Sequence, residues 1–337
     1  MSRWIRLPLA LLTAPLLEYR PQEHAPTEVF CGNNGPKLRP GQITRVVSWN
    51  IQFCGSREEA FFYDNGPAVH VAPDLVQKTI TGILAALQAL QPDLLALQEV
   101  DRDSERTGRV DQLRRMLAYR PDLSWTSAPY FRAPYVPAPF RDPLGRMDMH
   151  LAWMTAPQLL QGHRQQLALL DEPRWRQRFN LKRALLSAKI PLVDGRHLAI
   201  ANTHLSAFSF GDGTLNKQVD ALEAWMRSHP PDQPWILVGD FNLLPPGDDP
   251  ERLNLDRNLY GGDNPMNRLI PTFKTAFTDL TAPSARTYLP HQAQEPERKI
   301  DYVFYGGPVT VHDARVAREH RMLSDHLPLV VELSVQP

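Results

Sequence analysis

The stretch Trp235–Pro245, WILVGDFNLLP, puts an aspartate and an asparagine where an apolar run stops. An apolar run of this length, bounded by turn residues, reads as a buried strand. Gly239 and the Pro245-Pro246 pair punctuate it. Asp240 and Asn242 would then stand at the C-terminal lip of a core strand, where a charge is costly unless something compensates it. Side chains two apart on an extended chain point the same way. Two oxygens offered from a rigid edge suit a cation, a phosphate or a reacting water. The alternative is a turn in which Asp and Asn bind local backbone groups.

The rest of the chain limits the choice. With 37 Lys+Arg against 37 Asp+Glu, the 337 residues carry no global basic field for gripping long nucleic acid. The 32 prolines predict many ordered loops. Two cysteines, Cys31 and Cys54, lack zinc spacing and decide neither compartment nor chemistry. The N-terminus has Arg3 and Arg6 ahead of an apolar stretch, Leu7–Leu17, too short to span a bilayer. That stretch reads as a signal-like or anchor-like segment or as a packed arm. A cytoplasmic location is favoured, with export or membrane association through residues 1–20 left open.

Residues 1–42 are therefore expected to form an arm, and 43–337 a single domain. Within the domain, ITRVVSWNIQ (43–52) and PDLLALQEV (92–100) read as strands, the latter ending at Glu99. PDLVQKTITGILAALQAL (73–90) has helical apolar spacing, with Asp74 and Gln77 resembling a capping box. RVDQLRRMLAY (109–119) and TLNKQVDALEAWMRS (214–228) are further helices, and 129–148 is expected to be loop. Strands follow at 184–192, 197–205, 299–306, 309–316 and 328–333. Strands outnumber helices, which fits a mixed α/β domain whose sheets are covered by helices.

Polar residues recur at the ends of these strands. Asn50, Glu99, His204, Asp240, Asn242 and Asp301 each close or interrupt an apolar run, and Ser324, Asp325 and His326 precede the last. No P-loop, dinucleotide fingerprint or G-x-S-x-G elbow is present. Carboxylates with amide oxygens favour Mg²⁺ or Mn²⁺ over zinc. Two histidines beside carboxylates supply a base and an acid. Together these suit hydrolysis of a phosphoester, where charge builds on phosphoryl oxygens.

In this order, SWNIQ (48–52), LLALQEVD (94–101), NTHL (202–205), GDFNLLP (239–245), KIDYVF (299–304) and SDHLPLVVEL (324–333) resemble the DNase I-like endonuclease/exonuclease/phosphatase superfamily. Its members include DNase I, base-excision endonucleases, bacterial sphingomyelinases and inositol polyphosphate 5-phosphatases. The resemblance implies a four-layered αββα sandwich, two packed mixed β-sheets flanked by helices, with the site at one end. It implies Asn50, Glu99 and Asp325 at a Mg²⁺ (or Mn²⁺) site, Glu99 being the principal ligand. It gives Asp240 and Asn242 the positioning of water and phosphate, pairs His326 with Asp301, and makes His204 an acid for the leaving oxygen. Whether Asp240 or His326 takes the water's proton stays open.

Lys182 and Arg183, in FNLKRALLSAKI, are candidates for substrate phosphate, with a solvated strand end as the alternative. Where many relatives carry a G-N-A-x-L-S type strand, this chain has MDMHLAWMT (147–155), so His150 is a third substrate-binding candidate. A PAWCDR-type signature of the inositol phosphatases is absent. The expected activity is a Mg²⁺-dependent phosphodiesterase acting by in-line attack of water. Its substrate would be a small molecule, a lipid head group or nucleic acid, and the protein a monomer without a stable protein partner. The alternatives are an endonuclease on DNA or RNA, a sphingomyelinase-like phospholipase, and a non-catalytic phosphate-binding module.

Overall fold

The computed structural model describes residues 18–32, 35–207, 211–253, 257–260 and 262–337; the apolar stretch 7–17 lies outside the described residues. Two seven-stranded sheets pack face to face. The first runs β1 (His24–Pro26), β7 (Leu160–Gln166), β8 (Ala184–Pro191), β9 (His197–His204), β10 (Trp235–Asp240), β12 (Asp301–Gly306), β11 (Lys274–Thr275). The second runs β13 (Val309–Val316), β14 (Leu329–Val335), β3 (Thr44–Asn50), β4 (Leu94–Asp101), β6 (Gly145–Thr155), β5 (Ser124–Val136), β2 (Val29–Phe30). Both sheets are mixed: β9–β10 and β3–β4 are parallel, and the remaining pairs antiparallel.

The layers follow from strand alternation. Val46, Leu94 and Ala96 of one sheet and Leu186, Ile200, Ile236 and Val238 of the other fill the space between the sheets. Their chain neighbours face outward. Val47, Trp49, Leu95 and Leu97 pack under α1 (Pro73–Leu90) and α2 (Gln112–Tyr119). Leu185, Ala199, Ala201 and Leu237 pack under α4 (Thr214–Arg227) and α5 (Met266–Thr272). A one-turn helix, α3 (Arg174–Gln177), stands outside these layers. The expected αββα sandwich is the observed fold.

Several local expectations give way. The segment 129–148 is not a loop: β5 and β6 form a long hairpin, and the irregular part shrinks to the connection between Val136 and Gly145. The prolines are tolerated because β2 covers only Trp125 and Thr126 of β5, and the ladder shifts register after Pro129 and again after Ala133. Helix α1 begins at Pro73 behind Ala72, whose side chain cannot cap, so the Asp74–Gln77 capping box does not form. The sequence reading missed β7 and α5. Part of the arm enters the sheets, β1 pairing with β7 and β2 with β5. Cys31 and Cys54 are free thiols. Among the described residues no helix is long and apolar enough to cross a membrane.

Between the sheets the apolar filling carries a polar clasp. Gln98 Nε2 donates to Asn202 Oδ1 at 2.7 Å, and Asn202 Nδ2 donates to the carbonyls of Leu97 (2.9 Å) and Ala152 (3.1 Å). These fully buried amides tie β4 and β6 to β9 and set the register of one sheet on the other.

Lys299 opposes the fold. It is fully buried, its Nζ has no hydrogen-bond partner, and it lies 4.2 Å from the centre of the Phe277 ring. Burial drags its pKa down to about 7, with Asp301 pulling the other way. Because the unfolded lysine titrates near 10.4, stability drains away as pH falls from about 10 to 7 and then levels off. Lys299→Met is therefore expected to raise the melting temperature at pH 7 by an amount corresponding to a few kcal/mol. The gap to wild type should narrow at pH 10. Thermal unfolding at both values checks this, and a variant less stable than wild type at pH 7 would contradict it.

Candidate functional site

The alternation that builds the core also delivers the polar residues. On β10 the inward row is Ile236, Val238, Asp240; on β9 it is Ile200, Asn202, His204. Asp240 pairs with His204 on one side and Asp301 on the other, so the three stand in a transverse row across β9, β10 and β12. On the facing sheet Asn50 closes β3 beside Gln98 of β4. Apolar layers thus give way to a polar layer at the same end of both sheets.

Backbone irregularities aim this layer. Gly239 has φ +141°, and a Cβ there would lie 2.0 Å from the Thr203 carbonyl oxygen, so only glycine lets β10 approach β9 one residue before Asp240. Glu99 sits at φ +58° in a bulge where the β4–β6 register shifts between Leu97 and Val100. It does not end the strand, which runs on to Asp101; the bulge turns its side chain toward the cavity. Gln52, Phe53 and Cys54 form a left-handed turn at φ 45°, 41° and 57° just after Asn50. Each such residue costs about 1–2 kcal/mol, and strain of this kind collects at functional sites.

Asp240 is the hub. Asn50 Nδ2 donates to Glu99 Oε1 and to Asp240 Oδ2, both at 3.1 Å, joining the two sheets. The Asn242 N–H donates to Asp240 Oδ1 at 3.0 Å. This is an Asp side chain binding a backbone group two residues on, with Asn242 in the left-handed region at φ 52°. The turn reading of WILVGDFN is observed, and the turn is what holds the carboxylate at the cavity. The side chain of Asn242, expected beside that of Asp240, instead donates to the Leu205 carbonyl at 3.0 Å.

Two imidazoles flank Asp240 Oδ2, His204 Nε2 at 3.3 Å and His326 Nε2 at 3.5 Å. Behind His326, Nδ1 lies 2.9 Å from Asp301 Oδ2. Behind His204, Nδ1 lies 3.1 Å from the Tyr130 hydroxyl, which accepts from the Glu99 N–H at 3.2 Å. With that bond made, the hydroxyl hydrogen is free to reach Nδ1, and in that arrangement a neutral His204 carries its proton on Nε2, facing Asp240. Burial holds His204 well below the usual imidazole pKa, with Arg183 and His326 adding to it. Burial works against a charge on His326 too, but Asp301 and Asp240 outweigh it and raise its pKa. Burial pushes the Asp240 carboxyl up to about 7, Asp301 adding and His326 opposing.

The ligand atoms of Asp240, Asp301 and His326 lie within 4.8 Å of one another. Their contacts are those of an imidazole held between carboxylates, so this trio describes a hydrogen-bonded relay better than a cation site. Glu99 and Asp325 line the cavity together. Burial pushes Asp325 up to about 8, and Asp64, Glu99 and Asp240 add to it while His326 opposes. Crowded carboxylates facing a cavity are a donor set that fits a hard divalent cation. Asn50 Oδ1, accepting from the Gln52 N–H at 3.0 Å, is turned inward.

The cavity measures about 630 Å³, and Glu99, Arg183, His204, Asp240, Asn242, Asp325 and His326 reach it. Asn50 and Asp301 stand just behind. Of the three substrate-binding candidates, Arg183 lines the cavity, its guanidinium 5.4 Å from the Tyr130 ring centre and its Nη1 without a hydrogen-bond partner. Lys182 does not: its Nζ is turned onto the Gln177 carbonyl. Nor does His150, which is buried beside Asp148 at 3.0 Å and Ser127 at 3.2 Å. It stands one residue along β6 from Met149, which does reach the cavity. Tyr130, Arg106 and Tyr288 were missed. Tyr130 lay in a segment read as loop. Arg106, which forks onto Asp101 at 2.9 and 3.0 Å, lay outside every motif.

The Endonuclease/Exonuclease/phosphatase family model matches residues 47–326. A UPF0294 protein of Yersinia pseudotuberculosis is 30% identical over 152 residues, 45% of this chain and 48% of that one. The chain thus spans about half the length of the curated relatives it matches. Among solved structures, an endonuclease/exonuclease/phosphatase from Beutenbergia cavernae superposes with a TM-score of 0.60 at 23% identity, over 88% of this chain and 72% of that one. The human Nocturnin catalytic domain with bound sulfate anion gives 0.53 at 18% identity, over 91% and 97%.

A carboxyl whose proton affinity rises on folding costs stability as pH climbs from about 4 toward 8. Asp325→Asn is therefore expected to melt higher than wild type in EDTA at pH 8, by an amount corresponding to a few kcal/mol. MgCl₂ or MnCl₂ should raise the melting temperature of wild type, stabilising it by about 2.7 kcal/mol at a hundred times Kd, and move the variant little. Equal metal shifts in both proteins would take Asp325 out of the cation site.

Proposed function

The chain belongs to the endonuclease/exonuclease/phosphatase family, and on that premise we propose that it is a Mg²⁺- or Mn²⁺-dependent phosphodiesterase that hydrolyses its substrate by in-line attack of water. The observation that carries this is Asp240, buried between two imidazoles and fixed at both oxygens, next to a cavity edge where Glu99 and Asp325 crowd. The sulfate in the human Nocturnin structure supports a tetrahedral oxyanion as the group this fold receives.

Glu99 and Asp325 would hold the cation, which when bound supplies Lewis-acid stabilisation of charge on the phosphoryl oxygens. His326, kept protonated by Asp301, faces the phosphoryl group as a hydrogen-bonding cation and is poorly suited to take a proton. That leaves Asp240 as the general base, with a proton affinity near the operating pH. Asn50 and the Asn242 N–H keep its carboxylate from rotating. His204, neutral with Nε2–H inward, donates a hydrogen bond at the phosphoryl oxygens in place of the proton first expected of it. The unpartnered Nη1 of Arg183 completes the set of donors around one phosphate.

Turnover of bis(p-nitrophenyl) phosphate should exceed that of p-nitrophenyl phosphate, require Mg²⁺ or Mn²⁺, and stop in EDTA. Asp240→Asn and His326→Ala should each lower kcat about 10²–10⁴-fold in protein that remains folded. If a folded wild type that responds to metal turns over neither ester, the hydrolytic reading gives way to a phosphate-binding module.

A further inference from the structure

The cavity has two unlike halves. Its floor is the polar layer of the two sheets. Its outer lobe is apolar, with Phe131, Val136 and Leu144 from the β5–β6 hairpin on one side and Trp175, Phe179 and Leu181 from the segment around α3 on the other. The lobe is continuous with the floor, so whatever fills it is joined to the group the floor holds.

Its charges suit one phosphate and not a row of them. Arg106 is forked onto Asp101, Arg176 stands 4.0 Å from Glu172, and Arg298 lies over the Tyr260 and Tyr288 rings at 5.5 and 5.0 Å. Arg183, at the boundary between floor and lobe, has a guanidinium nitrogen without a partner. A nucleic-acid strand needs a basic track and successive stacking faces. Here the apolar wall residues, aromatic and aliphatic in similar number, surround a single lobe, and the formal net charge is zero.

The rim is apolar as well. Trp175 is 61% exposed and Phe62 36% exposed at the cavity edge, and Phe140, in the turn between the lining residues Ala138 and Leu144, is 75% exposed. Large apolar side chains grouped around one opening mark a contact surface.

We propose that the lobe seats the hydrocarbon part of a phosphate-linked lipid, with its phosphate at the floor, and that Phe140 and Trp175 rest on the lipid surface from which the substrate is drawn. The proposal rests on the phosphoesterase reading for the identity of the floor and names the substrate class of the same site. It is tested by binding, so that its failure is separable from failure of turnover.

Ethylphosphonate and octylphosphonate, whose C–P bond resists hydrolysis, are titrated calorimetrically into the full chain with Mg²⁺, below the micelle concentration. The octyl compound, with six more methylenes, should bind on the order of 10³-fold more tightly, from roughly 0.8 kcal/mol per buried methylene. Leu181→Asp should cut that ratio below about tenfold; affinities within threefold of each other in wild type overturn the lobe. Sedimentation with phosphatidylcholine–phosphatidylglycerol vesicles then tests the source. Wild type should pellet, and the double variant Phe140→Ser/Trp175→Ser, with an unchanged melting temperature, should not. Wild type that stays in the supernatant, or binds oligothymidylate more tightly than octylphosphonate, overturns the lipid assignment.

Discussion

The structure turns on one hydrogen bond, from Asn50 Nδ2 to Asp240 Oδ2, which crosses between the sheets at 3.1 Å. Asp240, Asp301 and Asp325 are all buried within a few residues' reach of Glu99, an arrangement that like charges and desolvation both oppose. The amide touches Glu99 and Asp240 at once and separates the two carboxylates with a donor. One layer deeper, the Gln98–Asn202 clasp fixes the sheets so that Asn50 meets Asp240. Gly239, the Glu99 bulge and the left-handed turn at Gln52–Cys54 are the backbone adjustments by which each strand end reaches that meeting point. A core of the same apolar composition with the sheets slipped by one residue would turn every inward polar group outward.

What the sequence discloses and what it hides follow from the same periodicity. A strand buried on both faces is a run of apolar residues, so a polar residue at its end stands out, and Asn50, His204, Asp240 and Asp301 were legible for that reason. Side chains from less regular segments were not. Tyr130 lies on a strand broken by two register shifts and carrying Pro129 and Pro134, a pattern that imitates a loop. Arg106 lies in a 3-10 turn after β4, where only the folded chain puts Asp101 and Phe53 around it.

His150 and Lys182 show the limit from the other direction. Both have the right chemistry and stand next to residues that do reach the cavity, Met149 and Arg183. Lys182, in the segment before β8, is turned onto the Gln177 carbonyl, and for His150 one step along β6 reverses the direction of the side chain. His150 therefore joins Asp148 and Arg132 in a separate buried network, where His150 and Arg132 overcome burial and hold the Asp148 carboxyl at about 2. Residue type in the neighbourhood of a motif is weak evidence unless the parity of the strand is known as well.

The cavity divides its work between kinds of structure. Its floor is carried by β4, β9 and β10 and the turns at their ends, with hydrogen bonds that fix each oxygen and nitrogen, as reacting groups require. Its walls come from the end of the β5–β6 hairpin and the segment around α3. Floor residues are constrained by one another through these hydrogen bonds; of the wall residues, Phe131, Val136 and Leu144 are held in the core between the sheets, whereas Trp175 is 61% exposed. The family can therefore be read from the strands of this chain, whereas Val136, Leu144, Trp175, Phe179 and Leu181, which line the outer lobe of the cavity, belong to no motif.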